Sequence, residues 1–142
     1  MASMDQLYQT LIIEHDRSPR NFRTLEAPTH EGRGRNPLCG DEVSLQLRLD
    51  ADGRVAEVGF QGRGCAVSKA SASMMTGAIQ GKTVEEVREL FDAFHALLTG
   101  GEADRDRLGK LVAFEGLKTY PMRVKCATMA WHVLKEAVSH ES

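Results

Sequence analysis

Three cysteines stand in chemically loaded settings: Asn36-Pro37-Leu38-Cys39-Gly40-Asp41, Gly62-Arg63-Gly64-Cys65-Ala66 and Arg123-Val124-Lys125-Cys126-Ala127. Three thiols cannot all pair within one chain, and no two share a Cys-x-x-Cys unit, so neither a disulfide framework nor a thioredoxin-type redox pair fits. Three thiolates with the carboxylate of Asp41 supply four donors, the number a tetrahedral zinc takes and a number that also suits an iron–sulfur cluster. Free cysteine is by habit a small buried hydrophobe. The glycines beside Cys39 and Cys65 argue for something else, because glycine is placed where backbone turns sharply or approaches a ligand closely.

Such donors lie far apart in the chain, so folded elements must bring them together. Leu7, Leu11 and Ile12, with Tyr8 beside them, form a helical stripe over Asp5 to His15 that stops before Ser18-Pro19. Phe22 to Leu38 is rich in Gly, Pro, Arg and Asn without periodicity and reads as an irregular segment. Val43, Leu45, Leu47 and Leu49 alternate with polar residues, and Val55 to Phe60 follows across Ala51-Asp52-Gly53-Arg54, which predicts a hairpin turning at Asp-Gly. Ala66 to Gly81 predicts a closely packed helix of small residues, with Val67, Met74, Ile79 and the alanines inward. Thr83-Val84-Glu85-Glu86 matches a capping box for an amphipathic helix to about Leu98. A further helical piece is expected from Arg105 to Leu117, and a last helix starts at Pro121. Sheet first and helices later give an α+β fold: a small antiparallel sheet covered on one face by helices, in a single domain over 1–142.

On this plan Cys39 lies in a loop, where Gly40 lets its side chain and that of Asp41 turn toward one ion. Cys65 falls at a helix entrance, whose free amides and dipole favour thiolate. Cys126 falls in the second turn of the last helix, where Arg123 and Lys125 could stabilise negative sulfur. The alternative for those two cations is a solvated helix face.

Composition narrows the function classes. The chain has 142 residues, 42% hydrophobic content and a net charge of −2, with no Lys/Arg tract, which argues against a nucleic-acid partner. The start lacks the basic and apolar regions of a signal peptide, and no run is long enough to span a bilayer, so a cytoplasmic protein without membrane association is expected. In that reducing setting cysteines serve metals or catalysis more often than bridges.

The three cysteine motifs together resemble the SufU branch of the IscU/NifU-like iron–sulfur cluster assembly proteins. The quoted stretches are Asn-Pro-x-Cys-Gly-Asp, Gly-x-Gly-Cys-Ala-x-Ser-x-Ala-Ser and Arg-x-Lys-Cys-Ala-Thr-x-Ala-Trp, and Asp16-Arg17-Ser18-Pro19-Arg20-Asn21 resembles the family's His-Tyr-x-x-Pro-Arg-Asn stretch. The resemblance implies metal ligands at Cys39, Asp41, Cys65 and Cys126. Where IscU-type scaffolds have a histidine before the third cysteine, this chain has Lys125, and their Leu-Pro-Pro-Val-Lys motif is replaced by Thr119 to Lys125. The stretch from about Thr99 to Leu117 resembles the insertion that marks the SufU branch.

These departures imply a zinc-dependent sulfurtransferase. It would accept persulfide sulfur from a SufS-like cysteine desulfurase on Cys39, once a histidine of that partner takes the place of Cys39 on zinc, and pass it toward the downstream SUF assembly complex. Arg123 would steady the loop or the developing charge. Two other readings stand beside it: a scaffold for a transient iron–sulfur cluster, and a purely structural zinc module.

Overall fold

The computed structural model describes residues 4–36 and 40–139. Its elements are α1 (Met4–Arg17), β1 (His30–Asn36), β2 (Asp41–Leu49), β3 (Val55–Arg63), α2 (Ala66–Ile79), α3 (Val84–Thr99), α4 (Arg105–Leu108), a 3₁₀ segment (Gly109–Thr119) and α5 (Pro121–Ser139). The strands form one antiparallel sheet in the order β1-β2-β3.

The predicted hairpin is present, with Gly53 at φ 77° in its turn and Asp50 Oδ1 accepting from the amides of Asp52 and Arg54. Alternation sends Val43, Leu45 and Leu47 to the helix-covered side, where they are buried. The other face carries the Arg48–Glu57 ion pair, and there Gln46 Oε1 accepts from the Leu25 amide at 2.7 Å. The expected α+β arrangement, with helices on one sheet face, is therefore the one observed.

β1 corrects the sequence reading, which treated its residues as irregular. Its inward positions are Gly32 and Gly34 in place of apolar side chains. α5 presses directly on them: a methyl built at Gly34 would stand 2.5 Å from Val133 Cγ2, and one at Gly32 would stand 2.9 Å from Val133 Cγ1. The period-2 signal exists, but it is written in missing side chains because a helix needs the space.

A second correction concerns Arg105 to Leu117. One α-turn, capped by Asp104, gives way at Gly109 to a 3₁₀ run. Leu108, Leu111, Phe114 and Leu117 are all buried, and a spacing of three places them on one face only when there are three residues per turn. In α2, Val67 is only half-buried, while Ser68, Ser71, Ser73 and Thr76 share the buried side with the alanines and Met75.

The capping box of α3 is formed, with Thr83 Oγ1 accepting from the Glu86 amide at 3.2 Å and Glu86 Oε1 accepting from the Thr83 amide at 3.0 Å. α3 delivers Phe94 to the core centre, stacked on Trp131 of α5 at 4.5 Å between ring centroids. Phe114 meets Phe94 edge-on at 5.7 Å and Tyr8 of α1 at 5.7 Å. This aromatic chain links α5, α3, the 3₁₀ segment and α1, and such offset or edge contacts add to the area they bury.

Candidate metal centre

Asp41 is the first residue of β2 and shares the inward phase of Val43, Leu45 and Leu47. A strand whose alternate residues enter the core thus carries a carboxylate inward at its end, and Asp41 is 0% exposed. A carboxylate there needs donors or a cation. One donor is the Cys65 amide, 2.8 Å from Asp41 Oδ1.

Cys65 is the N-cap of α2, at φ −72° and ψ 163°. Its sulfur accepts from the Ser68 amide at 3.5 Å and stands 3.7 Å from Asp41 Oδ2, to which the thiol donates. A sulfur in the capping position takes the place of the usual Ser or Asp oxygen, and the free amides and dipole of the helix end favour negative charge on it. Cys65 is exposed, whereas Cys126, in the second turn of α5, is buried.

Ligand atoms of Asp41, Cys65 and Cys126 all lie within 4.8 Å of one another. Two features hold them so. A methyl at Gly64 would collide with Asp41 Oδ1, and the residue sits at φ 153°, so only glycine lets the β3–α2 connection pass this close to the carboxylate. Behind the sulfurs, Ser71 of α2 donates to the Ala127 carbonyl at 2.5 Å and accepts from Trp131 Nε1 at 3.1 Å, fixing α2 against α5 within a buried contact.

Cys39, the remaining predicted ligand, lies outside the described residues. Arg123 is exposed, with its guanidinium carbon 5.2 Å over the Tyr120 ring. Lys125 is exposed as well and lines a groove against β1. Tyr8 was not singled out as a site residue in the sequence. Burial raises its pKa, Arg123 pulls it down, and the charges of Cys65 and Cys126 push it up, so this phenol stands within electrostatic reach of both thiols. Its only sequence signal is a position beside the apolar stripe of α1.

The donor set suits a borderline-soft cation: two sulfurs and one desolvated carboxylate converge, and zinc accepts S and O ligands together. The same sulfurs would also suit iron.

Fold and donors together define an α+β domain with a candidate metal site, and comparison with known proteins identifies its class. The family model for the NifU-like N-terminal domain matches residues 7–127, and the chain belongs to that family. Within it, the chain is 39% identical over 141 residues to the zinc-dependent sulfurtransferase SufU of Bacillus subtilis, covering 99% of this chain and 95% of that protein. It is 34% identical over 143 residues to the iron–sulfur cluster assembly scaffold protein IscU of Streptococcus pyogenes, covering 100% and 89% of the two chains. The crystal structure of a SUF-system scaffold protein from Fervidobacterium islandicum superposes with a TM-score of 0.88 at 34% identity, covering 93% of this chain and 96% of the other. Among the described residues no helix is long and apolar enough to cross a membrane.

Proposed function

We propose that this protein is a zinc-dependent sulfurtransferase of iron–sulfur cluster assembly that takes persulfide sulfur from a cysteine desulfurase onto Cys39. The observation that carries the reading is the convergence of Asp41, Cys65 and Cys126 within 4.8 Å, in a chain 39% identical to a zinc-dependent sulfurtransferase. Only Gly40 separates Cys39 from Asp41 in the chain, so Cys39 is the natural fourth donor. Bound zinc would supply charge that keeps its thiol ligands deprotonated at neutral pH.

The division of labour follows from how each residue is held. Asp41, fixed by the Cys65 amide and by the lack of a side chain at Gly64, and Cys126, set in a packed helix, would stay in place. Cys39 would be the acceptor. Its thiolate attacks the outer sulfur of the partner's persulfide, the partner's S–S bond breaks as a new one forms on Cys39, and the partner cysteine leaves as thiolate. Arg123 would attract the negative charge passing through this region. This reading goes with a reducing cytoplasmic setting, where thiols stay available, and with one functional domain over 1–142.

A scaffold role for a transient cluster is the second reading, favoured by the relatives named as scaffolds and by sulfur donors equally suited to iron. One experiment separates the two. Cys39→Ala should remain folded, retain measurable zinc, and lose its stimulation of a partner desulfurase, with no persulfide found on the remaining cysteines by mass spectrometry. Full stimulation by Cys39→Ala would remove the relay. Stoichiometric iron and sulfide with little zinc, in wild-type protein isolated without oxygen, would favour the scaffold.

A further inference from the structure

α3 and α5 pack antiparallel, and their contacts run in reverse order along the two helices. Arg88 Nη2 donates to the Val138 carbonyl at 3.4 Å, Lys135 Nζ stands 4.7 Å over the Phe91 ring, and Phe94 stacks on Trp131. On the solvent side of that seam His95 of α3 meets His132 of α5, with ring centroids 6.1 Å apart and planes crossing at 78°. Phe91, only 5% exposed, lies against both, stacked on His95 at 5.8 Å and edge-on to His132 at 5.3 Å.

Both histidines are exposed. His15 and His30 each use a ring nitrogen in a hydrogen bond, to Ser73 and to Thr29, whereas among the described residues neither His95 nor His132 makes one to protein. Partial burial, helped by the charges of His95 and Lys135, holds His132 below the usual histidine range, and a neutral imidazole has a lone pair to offer.

Bond lengths decide what two imidazoles at this spacing can hold. An ion bonded to a ring nitrogen at about 2.0–2.1 Å sits roughly 3.2 Å from that ring's centre, so two rings sharing one ion stand about 5.2 Å apart at a tetrahedral angle and about 6.4 Å apart in line. The observed 6.1 Å falls inside that range. Rotation about χ2 exchanges which nitrogen of each ring faces its neighbour and leaves the helices in place.

The one group of three or more convergent Cys, His, Asp or Glu ligands among the described residues is Asp41, Cys65 and Cys126, so water would complete the coordination at the histidines. Neutral nitrogen donors with open positions suit nickel(II), copper(II) and zinc(II), not calcium or magnesium. Lys135 opposes a cation there, and Asp92, one turn before His95, and Glu136, one turn after His132, offset it.

We infer that His95 and His132 form a second metal site, a two-imidazole clamp across α3 and α5 for a divalent borderline cation. It is separate from the cysteine centre, because His132 lies six residues beyond Cys126 in α5 and so on a different side of that helix. It does not depend on the function proposed above. An ion held there ties α3 to the helix that carries Cys126.

The test uses untagged full-length protein already saturated with one equivalent of zinc, titrated with nickel(II). Wild type is compared with His95→Asn, His132→Asn, the double variant, and His30→Asn as control. Both clamp residues are exposed, so circular dichroism should show an unchanged fold. Wild type and His30→Asn should bind one nickel ion, each single clamp variant should bind it at least about tenfold more weakly because the chelate is lost, and the double variant should show background only. Excess nickel should raise the thermal midpoint of wild type and leave that of the double variant unmoved, since the ion bridges two helices only when the fold is intact.

Nickel bound equally by wild type and the double variant would overturn the site. A loss confined to one of the two histidines would mark a lone surface imidazole and overturn the clamp as well. Resident zinc should be the same in every variant; its loss together with the nickel would assign both histidines to the cysteine centre and remove the second site.

Discussion

The two sides of the candidate metal centre are built by different physics. On the β2–α2 side, Asp41 and Cys65 are held by main chain: an amide donated to the carboxylate, a sulfur capping a helix, and a glycine that leaves no room for any other residue. On the α5 side, Cys126 is held by mass. Its helix is anchored through Trp131, stacked on Phe94, and through Ser71, which bonds both the Ala127 carbonyl and Trp131 Nε1. The first side therefore sets local geometry, and the second sets whether that geometry exists at all. Damage on one should appear first in metal binding, and damage on the other first in stability.

Trp131→Ala gives the largest expected effect. Removing a side chain that is 1% exposed and stacked on Phe94 should cost about 3–5 kcal/mol, read as a lower denaturation midpoint, with metal binding lost only as the fold is lost. A small change in midpoint would show that α5 is held by something other than this stack.

Gly64→Ala should invert the pattern. The added methyl must displace the Asp41 carboxylate, so zinc content after dialysis should fall severely while stability drops by about 1–3 kcal/mol. Metal content equal to wild type would sever the link drawn here between Gly64 and the site.

Ser71→Ala falls between the two sides, since it removes the tie of α2 to α5. It leaves the buried Trp131 N–H without its acceptor, an expected loss of about 1–3 kcal/mol by chemical denaturation, with the wild-type metal complement kept when the protein is folded. Metal lost in the folded variant would mean that Ser71 sets ligand geometry as well as packing.

The smallest effect lies away from both sides. His15 Nδ1 is 2.7 Å from Ser73 Oγ, and burial, reinforced by Arg20, lowers its pKa below the ordinary value. A base whose folded pKa is depressed is neutral when folded, so the unfolded chain binds more protons as pH falls. Its contribution is complete above about pH 6.5 and is lost as pH falls through the lower folded value. His15→Asn should flatten that slope in denaturation curves taken across mildly acidic pH, and an unchanged slope would place the titration elsewhere.

Legibility tracked how directly a residue's role depends on its chain neighbours. The Asp-Gly hairpin, the Thr83 box, Pro121 at the start of α5 and Cys65 at the start of α2 are local devices, and each appears where the sequence placed it. β1 was missed because its inward residues are glycines, whose reason is Val133 on a distant helix. The 3₁₀ run was read only as helical because Leu108, Leu111, Phe114 and Leu117 were not weighed as a period of three. Tyr8 carried no chemical signal of its own; three non-neighbouring elements bring it near the thiols.

What the sequence by itself determined is the set of candidate donors and the local elements that carry them, because cysteine settings, caps and turns are fixed by interactions over a few residues. Only the tertiary structure decided that Asp41 points into the core beside Cys65 and that Cys126 joins them from another helix. Convergence of that kind depends on sheet register and helix packing, which sum many weak long-range contacts that no short stretch of chain contains.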